Sequence, residues 1–217
     1  MRCSSCTAIV KPVVAIDIDG TLGDYHGWFL NFAMQYLGKT AGPGKLYDGR
    51  GPFRQWFCEV FDVDERTWHD IKLAYRQGGM KRSMPMWPYA DRLCQDVRMA
   101  GAELWLTTTR PYLRLDNVDP DTRAWLARHQ IEYDAMLYDE DKYRHLAQLV
   151  DRERVVAVLD DLIEMYEQAA EAFHWRVPML RRTLWNRAIA TDGAAYNLPD
   201  AIDEILARIT QWKEQHA

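Results

Sequence analysis

Val13-Val14-Ala15-Ile16-Asp17-Ile18-Asp19-Gly20-Thr21-Leu22 decides the fold of this chain. Four apolar residues run into two aspartates one residue apart, followed by Gly-Thr-Leu. A short run that is apolar without alternation reads as a strand buried on both faces, as in a parallel sheet. The aspartates fall where that strand gives way to a loop. Open α/β sheets hold their ligands there, outside the carboxyl ends of the strands. Residues i and i+2 of an extended segment point the same way, so Asp17 and Asp19 are expected to face one site. Two carboxylates at close range resist ionising together. A bound Mg²⁺, which takes oxygen ligands, relieves that repulsion.

Three further segments extend the pattern. Val155-Val156-Ala157-Val158-Leu159-Asp160-Asp161 repeats the design: a buried apolar strand, then paired carboxylates. One or both of Asp160 and Asp161 would complete a Mg²⁺ site. Ala102-Glu103-Leu104-Trp105-Leu106-Thr107-Thr108-Thr109-Arg110-Pro111 reads as a strand that ends in hydroxyls and is stopped by proline. A hydroxyl and nearby backbone N–H groups can hold a phosphate oxygen. Lys142 opens a helix expected to run to Val150, with Leu146, Leu149 and Val150 on one side. From the first turn it can reach a phosphate that the strand ends also face.

Taken in order, the four segments resemble the four motifs of the haloacid dehalogenase-like phosphohydrolases, over Pro12 to about Ala207. The resemblance implies an α/β fold with a Rossmann-like parallel sheet, Mg²⁺ as cofactor, and phosphoryl transfer through a covalent aspartyl phosphate. It implies Asp17 as nucleophile, with Asp19 as general acid for the leaving alcohol and then base for water. The family pattern places its Thr two residues before Arg-Pro, which selects Thr108, with Thr107 as the alternative register. Thr108 and Lys142 would hold phosphate oxygens, assisted by Thr109 and Arg110. The metal would be held by the Asp17 carboxylate, the Asp19 backbone carbonyl and the Asp160/Asp161 pair. A dehalogenase of this superfamily has no need of the second aspartate, so Asp19 favours a phosphatase.

Roughly eighty residues separate the first two strands, far more than the dozen or so a simple crossover needs. Helices are expected over Gly27–Leu37, Phe53–Phe61 and about Glu65–Gln77, the last with Asp64 as N-cap and Gly78-Gly79 as terminator. Gly38 to Pro52 is Gly/Pro-rich and reads as loop. Residues 23–88 are thus expected to form a helical cap domain inserted after the first strand, and residues 1–22 and 89–217 the α/β core. In the core, helices are expected over Tyr89–Ala100, Asp121–His129, Leu162–His174 and Ala201–Trp212. Asp121 reads as an N-cap, and Asp116, Asp119 and Asp121 as loop and cap residues rather than a second metal site.

The cap is rich in aromatics: Tyr25, Trp28, Phe29, Phe53, Trp56, Phe57, Trp68 and Trp87. Most are needed as its core, but a pocket that stacks a base also needs aromatic faces. Asp24-Tyr25-His26-Gly27-Trp28-Phe29-Leu30, Arg50-Gly51-Pro52-Phe53, Asp141-Lys142 and Leu184-Trp185-Asn186 resemble the 5'(3')-deoxyribonucleotidases. That closer resemblance implies Tyr25 against the nucleoside and Phe53 in the base pocket. Arg54 and His26 are candidate polar contacts, with His26 equally readable as exposed. The chain departs from that family in Thr108-Thr109-Arg110 and in an acidic loop, Tyr112 to Pro120. A polynucleotide 3'-phosphatase and a non-catalytic binding protein on the same fold are the competing readings.

The 217 residues suffice for one core and a small accessory unit. A formal charge of −5 lacks the broad basic surface of a nucleic-acid binder, so the expected partner is a small-molecule nucleotide, not extended nucleic acid. No apolar run approaches a membrane span, and the N-terminus shows no signal-peptide core. A cytoplasmic protein with reduced cysteines is expected. Cys3-x-x-Cys6 has no partner motif for zinc and reads as chance cysteines in a frayed terminus. An exposed aromatic patch on the cap would also suit a homodimer.

Overall fold

The computed structural model describes residues 10–41, 47, 52–109, 115–186 and 195–216. The apolar run that opens the chain forms β1 (Val13–Asp17), every residue of it buried. Three helices follow: α1 (Tyr25–Leu37), α2 (Phe53–Phe61) and α3 (Glu65–Gln77). The chain then alternates between helix and strand. In order come α4 (Ala90–Met99), β2 (Glu103–Thr108), α5 (Val118–Arg128), β3 (Ala135–Tyr138), α6 (Lys142–Leu149), β4 (Val155–Asp160), α7 (Ile163–Ala172), β5 (Pro178–Arg181), β6 (Ala195–Tyr196) and α8 (Leu198–Gln215).

The six strands form one sheet in the order β3-β2-β1-β4-β5-β6, with every pairing parallel. The order reverses at β1, so the crevice beyond the carboxyl ends of β1 and β4 is the topological switch point where such sheets bind ligands. Alternate residues of β1 serve opposite faces. Val14 and Ile16 pack with Leu93, Trp125 and Ile205 of α4, α5 and α8, while Val13 and Ala15 pack with Leu146 and Ala169 of α6 and α7. Asp17 continues the second series and therefore faces α6. Each fully buried Ile, Leu or Val contributes roughly 1.5–3 kcal/mol, so a sheet covered on both faces gives its strand ends a rigid base.

The inserted helices have an apolar cluster of their own: Phe29, Ala33, Phe57, Phe61, Trp68, Ile71 and Tyr75. Their ends follow from local chemistry. Asp64 accepts from the Thr67 N–H at 2.8 Å and starts α3, while Gly38 takes the left-handed conformation that closes α1.

Several boundaries differ from expectation. Helix α5 begins at Val118, so Val118–Pro120 of the expected acidic loop are helical. Asp121 is accordingly not an N-cap. It is buried within the first turn, accepting from Arg82 Nε at 2.5 Å and from Asn117 Nδ2 at 2.8 Å. Asp119 accepts from Arg123 and from the Tyr138 hydroxyl. Helix α8 starts three residues early, because Asn197 caps it by accepting from the Asp200 N–H. Leu149, expected on an apolar face, is 54% exposed. Strands β3, β5 and β6 had no counterpart in the sequence reading. Among the described residues no helix is long and apolar enough to cross a membrane.

Candidate active site

Asp17 is the last residue of β1, and Asp160 the last of β4. Those strands are hydrogen-bonded neighbours, which brings Asp17, Asp160 and Asp161 together, all buried and with one oxygen of each within 4.8 Å of the others. Among the described residues this is the one group of three or more such side chains close enough to share a metal ion. The Asp19 carboxylate lies outside that cluster. β1 ends at Asp17 and the chain bends at Ile18, so the expectation that both aspartates face one point fails for the side chains.

Lys142 answers the cluster from the first turn of α6. It is fully buried, with Nζ 2.6 Å from both Asp17 Oδ1 and Asp160 Oδ2. Burial alone would lower its pKa; the Asp160 and Asp17 charges outweigh burial and raise it above the ordinary lysine value. The turn is held by Gln168 of α7, whose Oε1 accepts from the Tyr143 N–H at 2.9 Å. The Tyr143 hydroxyl donates to Asp160 Oδ2 at 2.6 Å.

The two neighbouring aspartates are unlike. Asp160 Oδ2 is taken by Lys142 and Tyr143, and Oδ1 accepts from the Leu162 N–H at 3.0 Å. Among the described side chains, Asp161 accepts a 3.3 Å hydrogen bond from Thr21 and has His26 Nδ1 at 4.0 Å. Burial, then Asp17 and Asp160, push its pKa well above the carboxylate range. A buried carboxylate in that condition suits a hard divalent cation, so the donor set fits Mg²⁺. Gly20 makes the approach possible. Its φ is +98°, and a Cβ there would lie 2.2 Å from Asp161 Oδ2. Asn186 braces the far side, donating to the Asp161 and Arg181 carbonyls at 2.9 and 2.7 Å.

The threonines at the end of β2 differ as well. Thr107, paired in register with Asp17, donates to the Tyr143 hydroxyl at 3.4 Å. Thr108 is fully buried, and its hydroxyl has no hydrogen-bond partner among the described residues. An unmet buried hydroxyl costs about 1–3 kcal/mol, which a ligand oxygen would remove. Thr109 sits half-buried at the strand exit. Arg110 lies outside the described residues, as do Arg50, Gly51, Cys3 and Cys6.

Beside Asp161 opens a cavity of about 370 Å³, walled by His26, Tyr47, Phe53 and Trp185. The Trp185 ring lies 5.4 Å from both Phe53 and His26. His26 is not exposed: 13% of its side chain is accessible, and burial, with Lys72 second, lowers its pKa to about 4. At neutral pH it is an uncharged donor and acceptor. Tyr25 does not share this cavity. It stacks on Phe29 and lines a small recess with Asp19, Tyr75 and Arg76. Arg54 is brought to neither: it pairs with Glu65 at 3.4 Å, with 48% of its side chain exposed.

The sequence reading missed two cations. Lys81, in the 3-10 turn Met80–Ser83, is buried with its ammonium against Asp19 Oδ1. Arg181, at the end of β5, is 9% exposed and attracted by Asp161, though burial lowers its pKa. Neither carries a periodicity or a neighbour in sequence that ties it to a strand end.

No protein-family model and no curated protein matches this sequence. Solved structures do match in fold. A haloacid dehalogenase-like hydrolase from Streptococcus pneumoniae superposes with a TM-score of 0.57 at 14% identity, over 89% of this chain and 97% of that one. For a family IA, variant 3 hydrolase of the same superfamily from Entamoeba histolytica the values are 0.58 and 16%, over 92% and 99%. CbbY from Rhodobacter sphaeroides, solved with phosphate, gives 0.59 and 17%, over 93% and 100%. The fold is therefore that of the haloacid dehalogenase-like hydrolases.

Proposed function

We propose that this chain is a Mg²⁺-dependent phosphatase of the haloacid dehalogenase-like superfamily that hydrolyses (deoxy)nucleoside monophosphates to nucleoside and phosphate. The observation that carries the reading is the buried Asp17/Asp160/Asp161 cluster with Lys142 at the switch point of the sheet. The aromatic cavity of about 370 Å³ beside Asp161 supports a planar base on the substrate. Residues 1–22 and 89–217 would be the catalytic core and residues 23–88 its cap. A cytoplasmic location, and a homodimer formed through the cap aromatics, go with this reading.

In this reading an Asp17 oxygen attacks phosphorus, and the bond from phosphorus to the leaving alcohol oxygen breaks. Asp19 gives that oxygen a proton. Water then attacks the aspartyl phosphate, Asp19 takes the water proton, and phosphate leaves with Asp17 restored. Lys142 and the Thr108 hydroxyl hold phosphoryl oxygens, and Lys142 keeps Asp17 oriented. Asp17, Asp161 and the Asp19 backbone carbonyl would hold Mg²⁺, with Asp160 fixing Lys142. The bound cation would offset the charge of the substrate and of the transition state.

Phosphate release with Mg²⁺ across deoxyribo- and ribonucleoside 5'- and 3'-monophosphates and a 3'-phosphorylated oligonucleotide tests the proposal. Turnover of mononucleotides by the wild type and none by Asp17→Asn is the expected result. Turnover by Asp17→Asn would sink the mechanism. Preference for the oligonucleotide, falling steeply with salt, would make the protein a polynucleotide 3'-phosphatase.

A further inference from the structure

The phosphatase reading leaves one buried ion pair without a role. Lys81 is 8% exposed and touches Asp19 Oδ1. Lysine is almost never this buried without a partner. The other buried lysine, Lys142, is committed to Asp17 and Asp160 at 2.6 Å each, while Lys81 serves Asp19 in a recess that Arg76 also lines. The two lysines come from different elements: Lys142 from the core helix α6, Lys81 from the turn by which the helical insertion returns to the core.

That turn is tied to both parts of the molecule. Gly79 enters it in the left-handed conformation, with φ of 69°. On the insertion side, Trp28 Nε1 donates to the Met80 carbonyl at 3.1 Å. On the core side, Arg82 Nε donates to Asp121 at 2.5 Å, and Trp125 Nε1 donates to the Met84 carbonyl at 2.7 Å. These bonds fix the backbone on either side of Lys81, whose ammonium lies over the Trp125 ring, 5.7 Å from its centroid. Asp19 itself lies past the end of β1, where the sheet no longer fixes its carboxylate. A carboxyl that gives a proton must sit within hydrogen-bond reach of the acceptor, and small misplacements are costly.

We propose that Lys81 is a positioning residue through which the helical insertion aims Asp19 at the leaving-group oxygen. The inference rests on the phosphatase reading above. Lys81 engages Oδ1 and the proton transfer is assigned to Oδ2. The Oδ2–H bond breaks, and the proton goes to the alcohol oxygen as its bond to phosphorus breaks and the bond to Asp17 forms. The acid step is then available only while the insertion is docked.

The test compares kcat/KM for a deoxynucleoside 5'-monophosphate with that for p-nitrophenyl phosphate, whose leaving group departs without a proton. Both values report the chemistry up to phosphoryl transfer. Their ratio does not depend on how much of a preparation is folded, so a poorly folding variant still reports. In Lys81→Met the nucleotide value is expected to fall about 100-fold, and the p-nitrophenyl phosphate value by less than about threefold. Lys81→Arg, which keeps a cation, is expected to restore a ratio near that of the wild type. Equal losses on both substrates, or none on either, would overturn the assignment. A wild type inactive on every phosphate monoester would remove the phosphatase reading, and this inference with it.

Discussion

At the scale of single residues, the site depends on an atom that is missing and on a buried hydroxyl. The missing atom is a Cβ at Gly20. Alanine there would place a carbon 2.2 Å from Asp161 Oδ2 in a backbone region that L residues rarely adopt. Gly20→Ala is expected to lower stability by about 1–3 kcal/mol and to abolish phosphate release; urea unfolding and a phosphate assay check both. The other is the Thr108 hydroxyl, which has no hydrogen-bond partner among the described residues. Thr108→Val keeps the shape and removes a polar group that has no hydrogen-bond partner among the described residues. Stability is therefore expected to hold or rise, while kcat/KM falls about tenfold or more through the lost phosphate contact. Parallel loss of stability and activity would assign Thr108 a structural role instead. The residues behave differently with respect to legibility. Asp17, Asp160 and Lys142 announce themselves by their place after apolar runs or at a helix start. Lys81 and Arg181 do not, because their meaning is a distance to residues far away in the chain.

Secondary-structure elements were legible in proportion to how much local chemistry specifies them. Asp64 and the Gly78-Gly79 pair bound α3 as expected, because a cap and a glycine stop act within a few residues. The end of β1 bends by contrast at Ile18, and the Asp19 carboxylate falls outside the Asp17 cluster. Helix α4 carries a prediction of its own. Burial, with a smaller contribution from Asp91, pushes the Cys94 thiol up to about 12, and the side chain is 2% exposed. The thiolate is the reactive form, so Cys94 is expected to resist iodoacetamide at pH 8 in the native protein and to react once denatured. Peptide mass mapping reads the outcome. Labelling of native Cys94 at the rate of a free thiol would show that α4 opens locally.

At the scale of the whole molecule, the buried carboxylates are expected to make stability depend on metal and on pH together. The pKa of Asp161 is raised well above that of an unfolded aspartate, through burial first and the neighbouring Asp17 and Asp160 second. Between the unfolded aspartate pKa and the raised value, the metal-free folded protein therefore binds more protons at Asp161 than the unfolded chain does. That contribution is complete below the unfolded aspartate pKa and is lost as pH rises through the raised value. Mg²⁺ bound at Asp161 would have to displace the same proton, so its stabilisation is expected to grow with pH over that window. At a Mg²⁺ concentration 100 times its Kd the gain is about 2.7 kcal/mol. Thermal unfolding with Mg²⁺ or EDTA at several pH values measures it, and Asp161→Asn is expected to remove most of the shift. An equal shift in that variant would place the cation elsewhere.

The sequence by itself determined the parallel α/β class, the helical insertion and the order of the strand-end carboxylates. Runs of apolar residues and caps act over short distances, and an apolar strand has few alternatives to a doubly covered sheet. Tertiary structure alone decided which carboxylate has its oxygens occupied by Lys142 and Tyr143 and which does not. It also decided that Phe53, Trp185 and His26 wall one cavity while Tyr25 belongs to another, and that Arg54 reaches neither. Above all it set Lys81 against Asp19. Those outcomes depend on how packed elements meet in space, and the electrostatic energy of a charge depends on what burial places around it rather than on its neighbours in the chain.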